Sequence, residues 1–280
     1  LASMRQLANG RLLRTGLLIT LVITAMLLVY SQPTWAGAVL TGDGTLPDII
    51  GMTGAGTLSI SSGTGGGFVY SSSTVMIGFS TGADGEVYVS GAGTVWQASG
   101  SHNIAWNGKG FMEVSGGAIV TTGLNGMVGM NAAAQGHAKI TGTGARWEIT
   151  NETKVGDFAT SQGTLEILAS GVVQSGLAAF IGDDDLSTGT VTVDGNGSKW
   201  ETNSEIRVGK KGVGVLNITD GGKVITGGEA VIGMESTGNG TVMLSGSNSS
   251  WATAGELQIG NEAVGVLTIS SGGLVTNVGN

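Results

Sequence analysis

The sequence predicts an all-β fold: a parallel β-helix (β-solenoid) of about nine coils of ~26 residues, wound right-handed. Three observations predict it. A sentence of the form Gly-x-Val-x-Val-x-Gly-x-Gly-x-x-Trp, with conservative exchanges, is written four times. Its tryptophans, Trp96, Trp147, Trp200 and Trp251, are 51, 53 and 51 residues apart. A hydrophobic residue followed by glycine recurs at Ile50-Gly51, Ile77-Gly78, Val128-Gly129, Val155-Gly156, Ile181-Gly182, Val208-Gly209, Ile232-Gly233 and Ile259-Gly260, with Ile104-Ala105 the one exchange. Apolar pairs at i and i+2 run in step with it, from Leu58/Ile60 and Val87/Val89 through Met112/Val114, Ala138/Ile140 and Leu165/Ile167 to Leu267/Ile269.

The chain opens with Arg5, Arg11 and Arg14 and then a mostly apolar run, Leu17 to Tyr30, of 14 residues. That length suits a signal h-region of ~7–15 residues and falls short of the ~20 wanted by a membrane-spanning helix. Residues 1–38 are therefore expected to be a signal peptide with a short leader, cut after Ala36 or Ala38. Without its three arginines the chain keeps 9 basic residues of 12 against 20 acids, a net charge of −11. An acidic balance argues against a nucleic-acid partner, which selects a basic face. There is no cysteine, so an exported domain would have to be stable without the disulfides on which small secreted domains depend.

Residues 39–50 lack the repeat and are expected to be an N-terminal cap or leading segment. From 51 to 280 each coil should contain short strands with one buried face, since polar residues separate the apolar pairs. Glycine, 53 of 280 residues, clusters after the pairs, as in Ser115-Gly116-Gly117 and Asp220-Gly221-Gly222, where turns need positive φ. One coil could not stand alone. About five buried side chains at ~1.5–3 kcal/mol each do not match ~26 ordered residues at ~1–2 kcal/mol. Stacking supplies the difference, with equivalent strands ~4.8 Å apart and nine coils forming a rod roughly 43 Å long.

Two coil types alternate, one closing on Gly-Gly and the other on Gly-x-Gly-x-x-Trp. The tryptophans read first as packing residues that fill the core or cover a sheet edge. A stripe for stacking ligands, with rings ~9.6 Å apart on every second coil, is the alternative. The repeat stops partway through a coil at Asn280, and nothing there caps the open strands. The expectation is a solenoid truncated at its C-terminus.

Units such as Trp200-Glu-Thr-Asn-Ser-Glu-Ile-Arg-Val-Gly209, Gly214-Val-Leu-Asn-Ile-Thr-Asp-Gly-Gly222, Val231-Ile-Gly233 and Gly240-Thr-Val-Met-Leu-Ser-Gly246 resemble a known repeat. It is shared by passenger domains of bacterial autotransporters (type V secretion) and by some proteins with PEP-CTERM sorting tails. The resemblance covers about residues 50–280. It implies a passenger exported across both membranes of a Gram-negative cell to the cell surface or outside it, acting in adhesion or surface interaction. The partner implied is a host or cell-surface macromolecule or glycan, with the outer membrane engaged through a translocator barrel that this chain does not contain. No alternating ~10-residue strands of such a barrel and no Pro-Glu-Pro tail are present. The alternatives are an envelope- or exopolysaccharide-associated structural protein of the PEP-CTERM type and a polysaccharide-degrading β-helix enzyme.

No catalytic, cofactor-binding or metal-binding residue is assigned, and no cofactor is expected. Glycoside hydrolysis needs two carboxylates across a cleft. The one dense acidic cluster, Asp183-Asp184-Asp185, follows Ile181-Gly182 and reads as a solvated turn. A calcium site is the alternative, although the Gly-Gly-x-Gly-x-Asp nonapeptide is absent. His102 and His137 occupy non-equivalent places in different coils. His102, in the divergent stretch Ser101-His-Asn-Ile-Ala-Trp106, reads as a local surface feature. No serine has a Gly-x-Ser-x-Gly setting, and the Gly-x-Gly strings open no helices. The Asn-x-Ser/Thr triplets at Asn151, Asn217, Asn239 and Asn248 carry no weight in a bacterial chain. The expectation is a non-enzymatic rod that binds through a ladder of side chains on a sheet face.

Overall fold

The structure, a computed structural model, describes residues 38–40, 44–45, 49–61 and 69–279, with side chains described from Ile49 onward. The export signal expected in residues 1–38 lies outside them apart from Ala38. Every regular element among the described residues is a strand. Each coil visits three sheets in turn, with strands of seven, four and three residues, as in Asp84–Ser90, Val95–Ala98 and His102–Ile104. The first two sheets have ten strands each and the third has nine, so the solenoid makes about nine turns.

All pairing is parallel, one coil to the next, and the register follows the repeat. Met112 sits between Val87 and Ala138, and Val114 between Val89 and Ile140. Residues 39–50, expected to be a cap or leading segment, contribute to this stack. Ala38–Leu40, Gly44–Thr45 and Ile49–Ile50 start the first, second and third sheets. Their parallel bonds supply what a segment without apolar pairs could not signal.

The core is a set of apolar columns running along the axis. Leu58, Val87, Met112, Ala138, Leu165, Val191, Leu216 and Val242 form one such column. The i, i+2 pairs face inward, and the residues between them face out, because alternate side chains of a strand point to opposite faces. Glycine makes the corner between the third and first sheets possible. At Gly156, φ is +72°, and a Cβ there would lie 2.4 Å from the carbonyl oxygen of Thr188 in the next coil. Gly189, which opens the following strand of the first sheet, leaves 2.1 Å between a Cβ and the Val155 carbonyl. The hydrophobic-glycine step and the glycine before each apolar pair are therefore two halves of one interlocking contact.

The four tryptophans are wholly buried and fill the core at the second sheet, so they do not form a ligand-stacking stripe. Each stacks in register with a valine of the intervening coils, as Trp147 does with Val120 and Val173. Each indole N–H donates to a hydroxyl on the coil before it: Trp96 to Ser72 at 3.2 Å, Trp147 to Thr122 at 2.9 Å, Trp200 to Ser175 at 3.4 Å and Trp251 to Thr226 at 3.0 Å. A buried indole usually finds such a partner. Turn length follows the same alternation. Four residues, such as 142–145, lead into the tryptophan strands and three, such as 116–118, into the valine strands.

Two sequence readings are corrected by this packing. His102 is not a surface feature but a core residue with no exposed area. It shares the inward parity of Ile104 on the strand His102–Ile104, and its ring meets Trp96 edge-on at 4.5 Å. The triple aspartate is not one solvated turn either. Asp183 is buried, while Asp185 faces solvent and accepts a 2.6 Å hydrogen bond from Thr237 two coils on.

Candidate binding surfaces

Three outward-facing features differ from the Ser/Thr background of the rod. The first is a groove of about 950 Å³ along the rim of the second sheet, lined from Ser71 to Gly227. Its floor carries one outward side chain per coil, in register: Ser71, Gln97, Thr121, Glu148, Gln174 and Glu201, ending at Ile225. The residue two positions before each carboxylate neutralises it. Arg146 lies 3.4 Å from Glu148, and Lys199 lies 2.9 Å from Glu201. Gln174 donates to Glu201 at 2.9 Å. Partial burial alone would raise the Glu201 carboxyl, but the hydrogen bonds from Lys199 and Gln174 outweigh it and hold the group below the ordinary glutamate range.

The second feature is a charged edge on the third sheet. Phe180 faces outward there, yet it is buried because Lys154, Arg207 and Lys210 close over its ring at 5.5, 6.0 and 5.3 Å. Asp183 bridges Lys154 at 2.9 Å and Lys210 at 2.7 Å, whereas Asp157 has Lys154 alone at 3.1 Å. Burial therefore dominates at Asp157, with the Lys154 charge opposing it, and its carboxyl is pushed up to about 6. At Asp183 burial also pushes upward, but hydrogen bonds from Lys210 and Lys154 win and lower it. The structure thus makes Asp183 a structural anion, and among the described residues no group of three or more metal-ligating side chains is gathered.

The third feature lies on the first sheet, where Glu86, Tyr88, Phe111, Glu113, His137, Lys139 and Glu166 face outward from four successive coils. Tyr88, Phe111 and His137 form a ring ladder with centroid steps of 5.5 and 5.1 Å. His137 meets Glu166 at 2.8 Å, and Lys139 meets Glu113 at 3.2 Å. The two histidines lie on different sheets and do not form a common site. Sequence reasoning missed this cluster although the register of the apolar pairs contains it. The residues between and before Val87/Val89, Met112/Val114 and Ala138/Ile140, with Glu166 between Leu165 and Ile167, are the cluster.

Comparison with known proteins gives one partial likeness. Over 131 residues, 44% of its length, the chain is 33% identical to the adhesin BmaC autotransporter of Brucella suis biovar 1 (strain 1330). The chain spans about 4% of that protein's length. No protein-family profile and no solved structure matches the chain. The likeness to an autotransporter adhesin and the β-solenoid agree with the resemblance carried by the repeats.

Proposed function

We propose that this chain is part of an exported, cell-surface passenger that acts in adhesion, with the groove of the second sheet as the surface that holds its partner. The observation that carries this reading is the ladder of one polar side chain per coil over six coils of that groove, from Ser71 to Glu201. Such a floor offers amide, hydroxyl and paired carboxylate groups at a ~4.8 Å repeat, suited to an extended, hydroxyl-rich chain such as a cell-surface glycan. The partial likeness to an adhesin points the same way. With a net charge of −8, the chain has no electrostatic reason to seek nucleic acid.

Beads coated with the full chain should adhere to cultured animal cells at least fivefold better than beads coated with heat-denatured chain. A Gln97→Ala/Glu148→Ala/Gln174→Ala/Glu201→Ala variant should lose that gain. Equal adherence of native and denatured chain would end the adhesion reading. Adherence that survives the quadruple substitution would move the partner off the groove.

One observation favours a second reading. Glu148 and Glu201 are two coils apart, ~9.6 Å by strand spacing, close to the ~6.5–9.5 Å of inverting glycosidases. A general acid needs a raised pKa, yet Glu201 is held low by Lys199 and Gln174, and Glu148 is paired with Arg146 at 3.4 Å, so neither is the unpaired carboxyl an acid requires. Binding without hydrolysis is therefore the reading favoured. Release of reducing ends from a polysaccharide by the chain, abolished by Glu201→Gln, would reverse that choice.

A further inference from the structure

We propose that the ring ladder and carboxylates of the first sheet form a second, separate binding surface, for an arginine-bearing segment of a partner protein. Beyond the cluster, the same two outward columns carry small polar and β-branched residues, with Met243 the one exception. Thr164, Thr190, Val215, Thr241 and Val266 continue the column of Glu86, Phe111 and His137, while Thr192, Asn217, Met243 and Thr268 continue that of Tyr88, Glu113, Lys139 and Glu166. Threonine suits a solvated strand, so folding does not ask for rings and carboxylates at those places.

The cluster is also left chemically open. Glu86 uses Oε2 to accept from Tyr88 at 3.2 Å and from Thr57 at 3.5 Å. Glu113 uses Oε2 for Lys139, and Glu166 uses Oε2 for His137. Oε1 of all three has no hydrogen-bond partner among the described residues. Three carboxylates stand against one lysine and a histidine, on a chain whose net charge is −8. Side chains of the cluster keep real exposure, 41% at His137 and 33% at Glu166.

Free carboxylate oxygens beside aromatic faces are the complement of a guanidinium. Arginine stacks on rings and gives a planar fork of donors to carboxylates, which the point charge of lysine does not. A neutral sugar could stack on the rings but would leave the charge excess unanswered. Complementary charge would also speed encounter and make binding salt-dependent.

The test uses the full chain and fluorescent hexa-arginine, followed by anisotropy at low and moderate salt, with a Gly-Ser peptide of equal length as control. Phe111→Thr and Glu113→Thr place on these coils the residue that other coils already carry, so the fold should survive. Hexa-arginine should bind the natural chain at least tenfold more tightly than either variant, and moderate salt should weaken it. Glu148→Gln/Glu201→Gln in the groove should leave the affinity for hexa-arginine unchanged, whatever it does to adhesion. If either threonine variant fails to fold, the isosteric Glu113→Gln and Glu166→Gln should show the same tenfold loss. Equal binding by the natural chain and the first-sheet variants would overturn the proposal as diffuse attraction to an acidic rod. Loss confined to the groove variant, or displacement of the peptide by a neutral oligosaccharide, would overturn it as well. None of these outcomes bears on whether cells adhere through the groove.

Discussion

His102 shows how one residue can set the response of the rod to acid. Thr122 accepts a hydrogen bond from the Trp147 indole, which can only donate, and its own hydroxyl hydrogen can then turn to Nδ1 of His102 at 2.7 Å. Because a hydroxyl oxygen can also accept from both rings, either tautomer keeps this bond, and in either one Nε2 is buried without a partner. Burial pushes the group down to about 3. The unfolded chain takes up a proton near pH 6.5 and the folded chain refuses it, so stability is full above pH 6.5 and falls as pH drops toward 3. The slope is about 1.4 kcal/mol per pH unit inside that window. Val75 occupies the same register one coil earlier. His102→Val should therefore flatten this part of the stability-pH curve and leave the variant more stable than the natural chain at pH 5, as measured by urea unfolding. A parallel slope in both proteins would mean that His102 titrates freely. The burial was legible in principle: His102 stands two residues before Ile104, the parity of every inward pair. The exchange of glycine for Ala105 hid it by making the coil look irregular.

Within single elements, the third sheet separates charges that sequence proximity would lump together. Asp157 and Asp183 follow equivalent glycines in successive coils and share Lys154, but only Asp183 has a second lysine. The folded state raises Asp157, so that group stabilises the fold below about pH 3.9 and loses this contribution as pH rises through about 6. Asp183 is lowered, and its contribution is present above pH 3.9 and lost on acidification. At pH 8, Asp183→Asn should cost about 3 kcal/mol, since it leaves Lys210 over Phe180 without its anion. Asp157→Asn should cost far less or stabilise the fold, because Lys154 keeps Asp183. Similar losses from both, seen in thermal or urea unfolding, would mean that the pair acts as one unit. The strands, their register and the alternation of coil types could all be read from the spacing of tryptophans and apolar pairs, because those spacings are the physical stack. This charge network could not, since it depends on which of three equivalent turns carries a lysine at the glycine-following position. That column holds half-buried Phe79, Trp106 and Met130 in earlier coils, a sign of partial burial that the run of three aspartates masked.

Across the whole molecule the same stacking makes position along the axis decide what a substitution costs. Each coil contacts its neighbours and little else, so stability is close to a sum of coil and interface terms. Gly156 and Gly260 have the same backbone, φ +72° at each, and alanine is strained equally by that angle at either place. Their surroundings differ. At Gly156 a Cβ meets the Thr188 carbonyl at 2.4 Å, while at Gly260, on the last turn of the third sheet, the nearest atom is the Ala263 carbonyl at 3.2 Å. Gly260→Ala should then cost about 1 kcal/mol, the ordinary charge for a left-handed alanine. Gly156→Ala must push apart the coils on either side, with a cost of several kcal/mol on the scale of overpacked cores. Because the strained contact lies mid-rod, it should also loosen the coupling between the two halves. Limited proteolysis of Gly156→Ala should cut near residues 157–161 and release a resistant fragment from each side, whereas Gly260→Ala should fray only at its end. A single sharp unfolding transition and an unchanged digestion pattern for Gly156→Ala would mean that the solenoid behaves as one cooperative block.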